Sequence, residues 1–161
     1  MKEHLGALIG LLNRFLKVIL VVDLVIMTLL VFIQIIYRYI LLKPIPWSEE
    51  LARYLFEWLA FIGSSIAVKE KAHVGVEMFV HALPKPLQRI TNIIAYIGCM
   101  VFVGLMTHYG FLVVGKTTKQ LSAAIRMPMA LPYLSVPLGS ALMFLNFFYL
   151  MLNELGSTRE A

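Results

Sequence analysis

Residues 18–37 read VILVVDLVIMTLLVFIQIIY, an apolar run interrupted only by Asp23, Thr28 and Gln34. A helix needs about 20 predominantly apolar residues to cross the hydrocarbon core of a bilayer. The run is about twice the length of a signal-peptide core, and no small-residue cleavage site follows before Tyr37. We therefore expect a retained transmembrane helix, over approximately residues 15–38.

Three further apolar stretches follow along the chain and predict spans at approximately 48–69, 88–115 and 132–155. The connections between them are short, which favours antiparallel neighbours, and a spanning segment in lipid must satisfy its own backbone hydrogen bonds. The predicted fold class is an all-α integral membrane protein with four transmembrane helices and short amphipathic interfacial helix segments, in a single membrane domain over residues 1–161. A closed bundle and an open, flattened layer are both compatible with this pattern.

The composition points the same way and excludes several classes of protein. The 161 residues are 60% apolar and 14% charged, whereas soluble domains are about 45–50% apolar and about 25% charged. The net charge is +5, but lysine and arginine occur singly, so the chain lacks the basic stripe that nucleic-acid binding requires. One cysteine cannot form an internal disulfide or a zinc site, and one histidine within a span, His108, cannot supply both ligands of a haem. We predict no cofactor, no metal, no nucleic-acid partner and no enzymatic activity.

The lysine and arginine count of the flanks predicts the orientation. Eight lie on the side that carries both termini and the second connection, and six lie on the other side. Because cytoplasmic loops carry the excess of lysine and arginine, we expect both termini to be cytoplasmic.

Two kinds of membrane-interface feature are expected in the connections. Residues 70–83 place polar and apolar side chains at spacings of three and four, which predicts an amphipathic segment in the inner interface. The second helix is expected to begin near Ser48, a residue favoured as an N-cap. The predicted interfacial anchors are Trp47, Trp58, His73, Glu77 and Arg126.

Polar residues recur on one face of the second and fourth spans. Glu50, Arg53 and Glu57 lie at i, i+3 and i+7, so Arg53 can pair with a neighbouring carboxylate. We interpret this stripe as a structural or partner-facing seam, with an ion path as the alternative. Small and amide residues on the fourth span predict a helix–helix seam as well. The complete predicted seam consists of Glu49, Glu50, Arg53, Glu57, Ser64, Gly139, Asn146 and Asn153.

Two long motifs resemble a known transporter family. Residues 46–68 read PWSEELARYLFEWLAFIGSSIAV, residues 72–77 read AHVGVE, and residues 124–142 read AIRMPMALPYLSVPLGSAL. These stretches, with the four spans, closely resemble the small membrane subunit of tripartite ATP-independent periplasmic (TRAP) transporters, the DctQ-like family. Arg126 stands where that family often has glycine, a departure that concerns the local turn geometry.

The resemblance implies a division of labour among subunits. It implies a non-catalytic small permease subunit in the bacterial inner membrane, paired with a large permease subunit. The large subunit would drive sodium-coupled uptake of an organic acid, such as a C4-dicarboxylate or a sialic acid, delivered by a transiently bound periplasmic binding protein. The alternative is a self-sufficient, proton-coupled transporter or exporter that uses Asp23 or Glu57 as the carrier. The membrane anchor of a respiratory enzyme is a third possibility, disfavoured because it needs haem or quinone ligands.

Overall fold

The computed structural model of the chain describes residues 2–70 and 84–156. Within these ranges the backbone forms helices α1 (Lys2–Tyr39), α2 (Pro46–Lys69), α3 (Lys85–Thr117), α4 (Ala130–Tyr133) and α5 (Ser135–Gly156). Four segments of these helices are long and apolar enough to span a membrane: Leu8–Tyr39, Pro46–Lys69, Ile90–Thr117 and Ala130–Glu154. The all-α fold class with four such helices is therefore confirmed. The predicted interfacial segment, residues 70–83, lies outside the described residues except for Glu70, and the single-domain organisation stays a prediction.

The first two helices begin earlier than the sequence pattern predicts. Helix α1 starts at Lys2, about a dozen residues before the predicted span, and its early part is tied to the rest of the chain because Asn13 bonds Asn146 of α5. Helix α2 starts at Pro46, and the preceding residue, Ile45, makes no side-chain capping bond. Proline suits the first turn of a helix because it lacks the N–H that would be left unpaired there. Ser48 is not the N-cap: its hydroxyl donates to the Ile45 carbonyl at 2.7 Å.

The helices pack in the order α1, α2, α5, α3. Helix α2 packs against α1 on one side and α5 on the other, and α5 then packs against α3. Within the described residues, α3 has no extensive backbone contact with α1 or α2, although Val68 of α2 and Val103 of α3 belong to one buried cluster. Side chains of α1 also reach α5, where Asn13 bonds Asn146. The order does not close between α1 and α3, so the arrangement is closer to an open layer than to a closed bundle.

Small residues and a compact apolar cluster pack α2, α3 and α5 against one another. The cluster contains Val68 of α2, Val103 of α3, and Phe147 and Leu150 of α5. The most deeply buried side chains are small ones: Ser48, Ser65, Pro132, Ser135, Pro137 and Ser140. Small side chains let helix backbones approach closely, which is how membrane helices pack when lipid is as apolar as the protein.

The last span is interrupted at Leu134, between α4 and α5. Pro137 has no N–H to donate to the carbonyl four residues earlier, so a regular helix cannot run through this point. The ring of Pro137 is buried, and it lies where a Cβ on Gly110 of α3 would approach to 3.0 Å. The break therefore coincides with the close crossing of α3 and α5.

Candidate functional site

Residues 120–129 form a hairpin-like connection between α3 and α4, here called the 120–129 hairpin. The Met129 amide donates to the Gln120 carbonyl at 2.8 Å, and the Ser122 amide donates to the Met127 carbonyl at 2.9 Å. At its tip Arg126 has φ 58°, in the left-handed region that glycine adopts without steric cost. Arg126 stands where the family that the sequence resembles often has glycine, and the structure shows that glycine would fit this position of the turn without strain.

A buried carboxylate on α2 holds this hairpin. Glu50 is only 8% exposed, and its Oε2 accepts hydrogen bonds from the backbone amides of Ala124 (2.6 Å) and Ile125 (3.1 Å). Its Oε1 accepts a hydrogen bond from the Tyr54 hydroxyl. Bonds from neutral donors to a carboxylate are stronger than those to a neutral acceptor, so Glu50 fixes the hairpin against the start of α2.

A groove of about 740 Å³ opens between the start of α2 and the 120–129 hairpin. Glu49 and Arg53 line it and are exposed, and the buried Glu50 lines it as well, so its lining holds two carboxylates and one guanidinium group. Within the described residues, Arg53 makes no ion pair within 4.0 Å, and the nearby Glu50 binds the hairpin instead. A groove with this lining can receive a polar segment of another molecule.

A second polar group lies near the opposite end of α2, where three helices meet. Asn146 of α5 donates from Nδ2 to the Ser65 carbonyl of α2 at 2.7 Å. Asn13 of α1 donates from Nδ2 to the Asn146 side-chain oxygen at 3.1 Å. Asn13 and Asn146 are 3% and 2% exposed, so this network joins α1, α2 and α5 in the interior.

Seven residues before Asn146 on the same helix, Gly139 lies at the crossing of α5 with α2. A Cβ added there would lie 2.5 Å from Cβ of Phe61 and 3.0 Å from its carbonyl carbon. Gly139 and Asn146 therefore face α2 of the same chain. Asn153, one heptad later, is exposed.

The remaining stripe residues on α2 are less buried. Glu57 is half-buried, and Ser64 is exposed, whereas the adjacent Ser65 is fully buried. The structure thus separates the predicted stripe into a buried anchor, Glu50, and a set of more accessible positions.

The predicted anchors occupy different environments. Trp47 is the second residue of α2 and is 49% exposed, whereas Trp58 lies in the middle of that helix. Trp58 and Asp23 line a cavity of about 130 Å³ between α1 and α2, so Trp58 is not at the end of a span, where a headgroup anchor is expected. Arg126 is exposed on the hairpin, and His73 and Glu77 lie outside the described residues.

Sequence reasoning missed two of the groups that complete these sites. Tyr54 follows Glu50 by four residues, the spacing at which helical side chains meet, so it was identifiable from the pattern. Asn13 precedes the predicted first span and bonds a residue 133 positions away, so no local signal indicated it.

Comparison with known proteins assigns the family. Residues 27–156 match the family described as "Tripartite ATP-independent periplasmic transporters, DctQ component". The chain is 30% identical over 103 residues to the C4-dicarboxylate TRAP transporter small permease protein DctQ of Rhodobacter capsulatus, covering 63% of this chain and 45% of that one. It is 35% identical over 66 residues to the protein of the same name from Pseudomonas aeruginosa, covering 41% and 31%.

A longer relative matches more of this chain. The isethionate TRAP transporter permease protein DctMQ of Oleidesulfovibrio alaskensis is 27% identical over 138 residues, covering 81% of this chain and 22% of the relative. This chain spans less than two thirds of the length of each of these three relatives. The family match covers most of the chain, and the four candidate spans indicate a multi-pass membrane protein. The chain belongs to the DctQ component family of the TRAP transporters, a family of transporter permease subunits and not of enzymes.

Proposed function

We propose that the chain is the small, non-catalytic permease subunit of a TRAP transporter. It pairs with a large permease subunit in the bacterial inner membrane, with both termini in the cytoplasm. The large subunit carries the substrate in a sodium-driven uptake, and a periplasmic binding protein delivers that substrate and binds transiently. The substrate is an organic acid, of the class that includes C4-dicarboxylates and sialic acids.

The observation that carries this proposal is the open layer of helices. The order α1, α2, α5, α3 has no extensive contact between its first and last helices among the described residues, so it does not close on itself. The predicted span of α1 contains exposed apolar side chains at most positions, and a second membrane protein can cover such a surface as well as lipid can. A flat layer attached to a larger subunit would widen the static frame of that subunit.

The names of relatives support the pairing. One relative carries the name DctMQ, and another, from Haemophilus influenzae, is named sialic acid TRAP transporter permease protein SiaT and is matched over only 12% of its length. Both are much longer than the stretch they share with this chain. A small subunit fused to a large one is consistent with a stable pair.

Reconstitution tests the proposal directly. The chain, a large permease and a binding protein from neighbouring reading frames are reconstituted in liposomes with an inward sodium gradient. Uptake of a radiolabelled organic acid should require all three proteins, and the chain should co-purify with the large permease. Uptake at the same rate without this chain would refute the proposal.

The alternative, an autonomous proton-coupled transporter, is favoured by one observation. Asp23 has one buried carboxylate oxygen that lacks a hydrogen-bond partner among the described residues, beside the cavity that Trp58 also lines. Ionisable groups at membrane depth are candidates for proton relays. Under our proposal Asp23→Asn and Glu57→Gln leave sodium-driven uptake by the three-protein system in place. Loss of uptake with normal co-purification in either variant would favour the carrier role instead.

A further inference from the structure

A basic groove lies between α1 and α2 at the end of the layer that carries the N-terminus. Its volume is about 280 Å³, and its lining includes Arg14 and Lys17 of α1 together with Lys69 of α2 and Glu70, which directly follows that helix. Lys17 forms an ion pair with Glu70. Among the described residues, Arg14 and Lys69 make no ion pair, so two positive charges of the groove have no carboxylate partner there.

The backbone of α1 is shaped to admit one of these cations. The Nζ of Lys69 lies 3.7 Å from the position of a Cβ on Gly10, so the ammonium group rests across α1 at a residue without a side chain. Lys69 is half-buried, whereas Arg14 is exposed. The two charges therefore border the same groove from its two walls.

An apolar track leads away from Arg14 along the surface of α1. Val18, Val21, Val25 and Leu29 follow it at helical spacing and are 52–60% exposed. A helix rises about 1.5 Å per residue, so the track from Val18 to Leu29 extends about 16 Å along the hydrocarbon region. Cations at one end of an exposed apolar row match the shape of a phospholipid, whose anionic phosphate is followed by acyl chains.

We propose that this groove binds the phosphate of an anionic phospholipid, with an acyl chain along the track of α1. The guanidinium group of Arg14 suits bidentate binding to phosphate oxygens, and the ammonium group of Lys69 adds a second donor from the opposite wall. Basic pockets between transmembrane helices on the cytoplasmic side bind anionic lipid headgroups, and the orientation proposed above places this groove there. The inference is independent of what the transporter carries.

The test measures lipid binding to the purified full-length chain in detergent by native mass spectrometry. The chain is titrated with phosphatidylglycerol and with phosphatidylcholine of the same acyl chains. The first phosphatidylglycerol should bind about tenfold more tightly than phosphatidylcholine. Arg14→Gln combined with Lys69→Gln should abolish this preference.

The control is Arg38→Gln combined with Lys43→Gln, which removes the same two residue types beyond the opposite end of the α1 track. It should keep the preference. Should the Arg14/Lys69 variant fail to fold, Glu70→Gln provides the opposite change, because removal of the carboxylate should strengthen phosphatidylglycerol binding.

Four results would overturn the proposal. The first is equal affinity for the two lipids in the unaltered chain, and the second is an equal loss in the control variant. Displacement of the lipid by millimolar glycerol 3-phosphate would assign the site to a soluble phosphate. A lysine–carboxylate cross-link from Lys69 to another protein in native membranes would assign it to an acidic protein segment.

Discussion

Replacement of Gly139 by alanine tests whether the crossing of α2 and α5 is as close as the structure places it. The added Cβ would lie 2.5 Å from Cβ of Phe61 and 3.0 Å from its carbonyl carbon. Carbon atoms pack at about 3.5–4.0 Å, so the two helices would have to separate by about 1 Å. Inserting a methyl group into a close-packed site typically costs about 1–3 kcal/mol.

The same separation would affect the bond between Asn146 and Ser65, because it lies on the same interface. Its present length is 2.7 Å, and lengthening by about 1 Å takes it beyond hydrogen-bond range. Truncation of Phe61 to alanine should not rescue the variant, since the Cβ and the backbone atoms that clash remain. The expected result is a loss of stability that a second mutation at Phe61 does not repair.

Gly98→Ala is the matched control, because a Cβ at Gly98 meets no atom within 4 Å. Alanine is favoured over glycine within a helix by up to about 1 kcal/mol, so the control should be neutral or slightly stabilising. The free energy of unfolding of both variants is measured in bicelles by steric trapping. Equal stability of the two variants, or rescue by Phe61→Ala, would refute the proposed crossing.

Three further predictions concern the sites at the two ends of α2. Glu50→Ala should accelerate amide hydrogen exchange at residues 124 and 125, because both amides lose their acceptor, whereas Glu49→Ala should not; unchanged exchange in Glu50→Ala would contradict the anchoring role. Asn146→Ala should lower the free energy of unfolding by about 0.6–1.7 kcal/mol, between the average and the largest value for hydrogen bonds between membrane helices, and the exposed Asn153→Ala should leave it unchanged; equal effects would remove the distinction. Arg126→Gly should stabilise the chain by up to about 1–2 kcal/mol, because glycine adopts this φ without the Cβ clash, and the β-branched Arg126→Val should be less stable than the native chain, in thermal denaturation monitored by size-exclusion chromatography; the reverse order would contradict a left-handed residue there.

The spans could be predicted from sequence because lipid imposes one strong constraint. A backbone inside hydrocarbon must bond to itself, so apolar length alone predicts a helix. The packing order could not be predicted in this way, because α1 and α3 are apolar on nearly all sides and no face indicates a neighbour. Pro137 marks a break in the last span, but the sequence does not say that Gly110 lies against it.

The candidate site was predicted in part, and its local partners were misjudged. Sequence spacing allows Glu50 to pair with Arg53, yet the carboxylate binds two backbone amides 74 and 75 residues away. Tertiary contacts of this kind leave no periodic signal. Ser64 and Ser65 differ by about 100° around the helix, so the heptad extension selected the exposed serine rather than the buried one.

Helix α2 is held at three levels, and this defines its role in the layer. Glu50 binds the 120–129 hairpin, Phe61 packs against Gly139, and the Ser65 carbonyl accepts from Asn146. At about 1.5 Å per residue these levels span about 22 Å, most of a hydrocarbon core of about 30 Å. These contacts fix the tilt and the rotation of α2 against α5 and against the 120–129 hairpin, so the three elements form the centre of the layer. Partners at the outer faces of α1 or α3 can bind without altering that centre, which is the property that the proposed pairing with a large permease subunit needs.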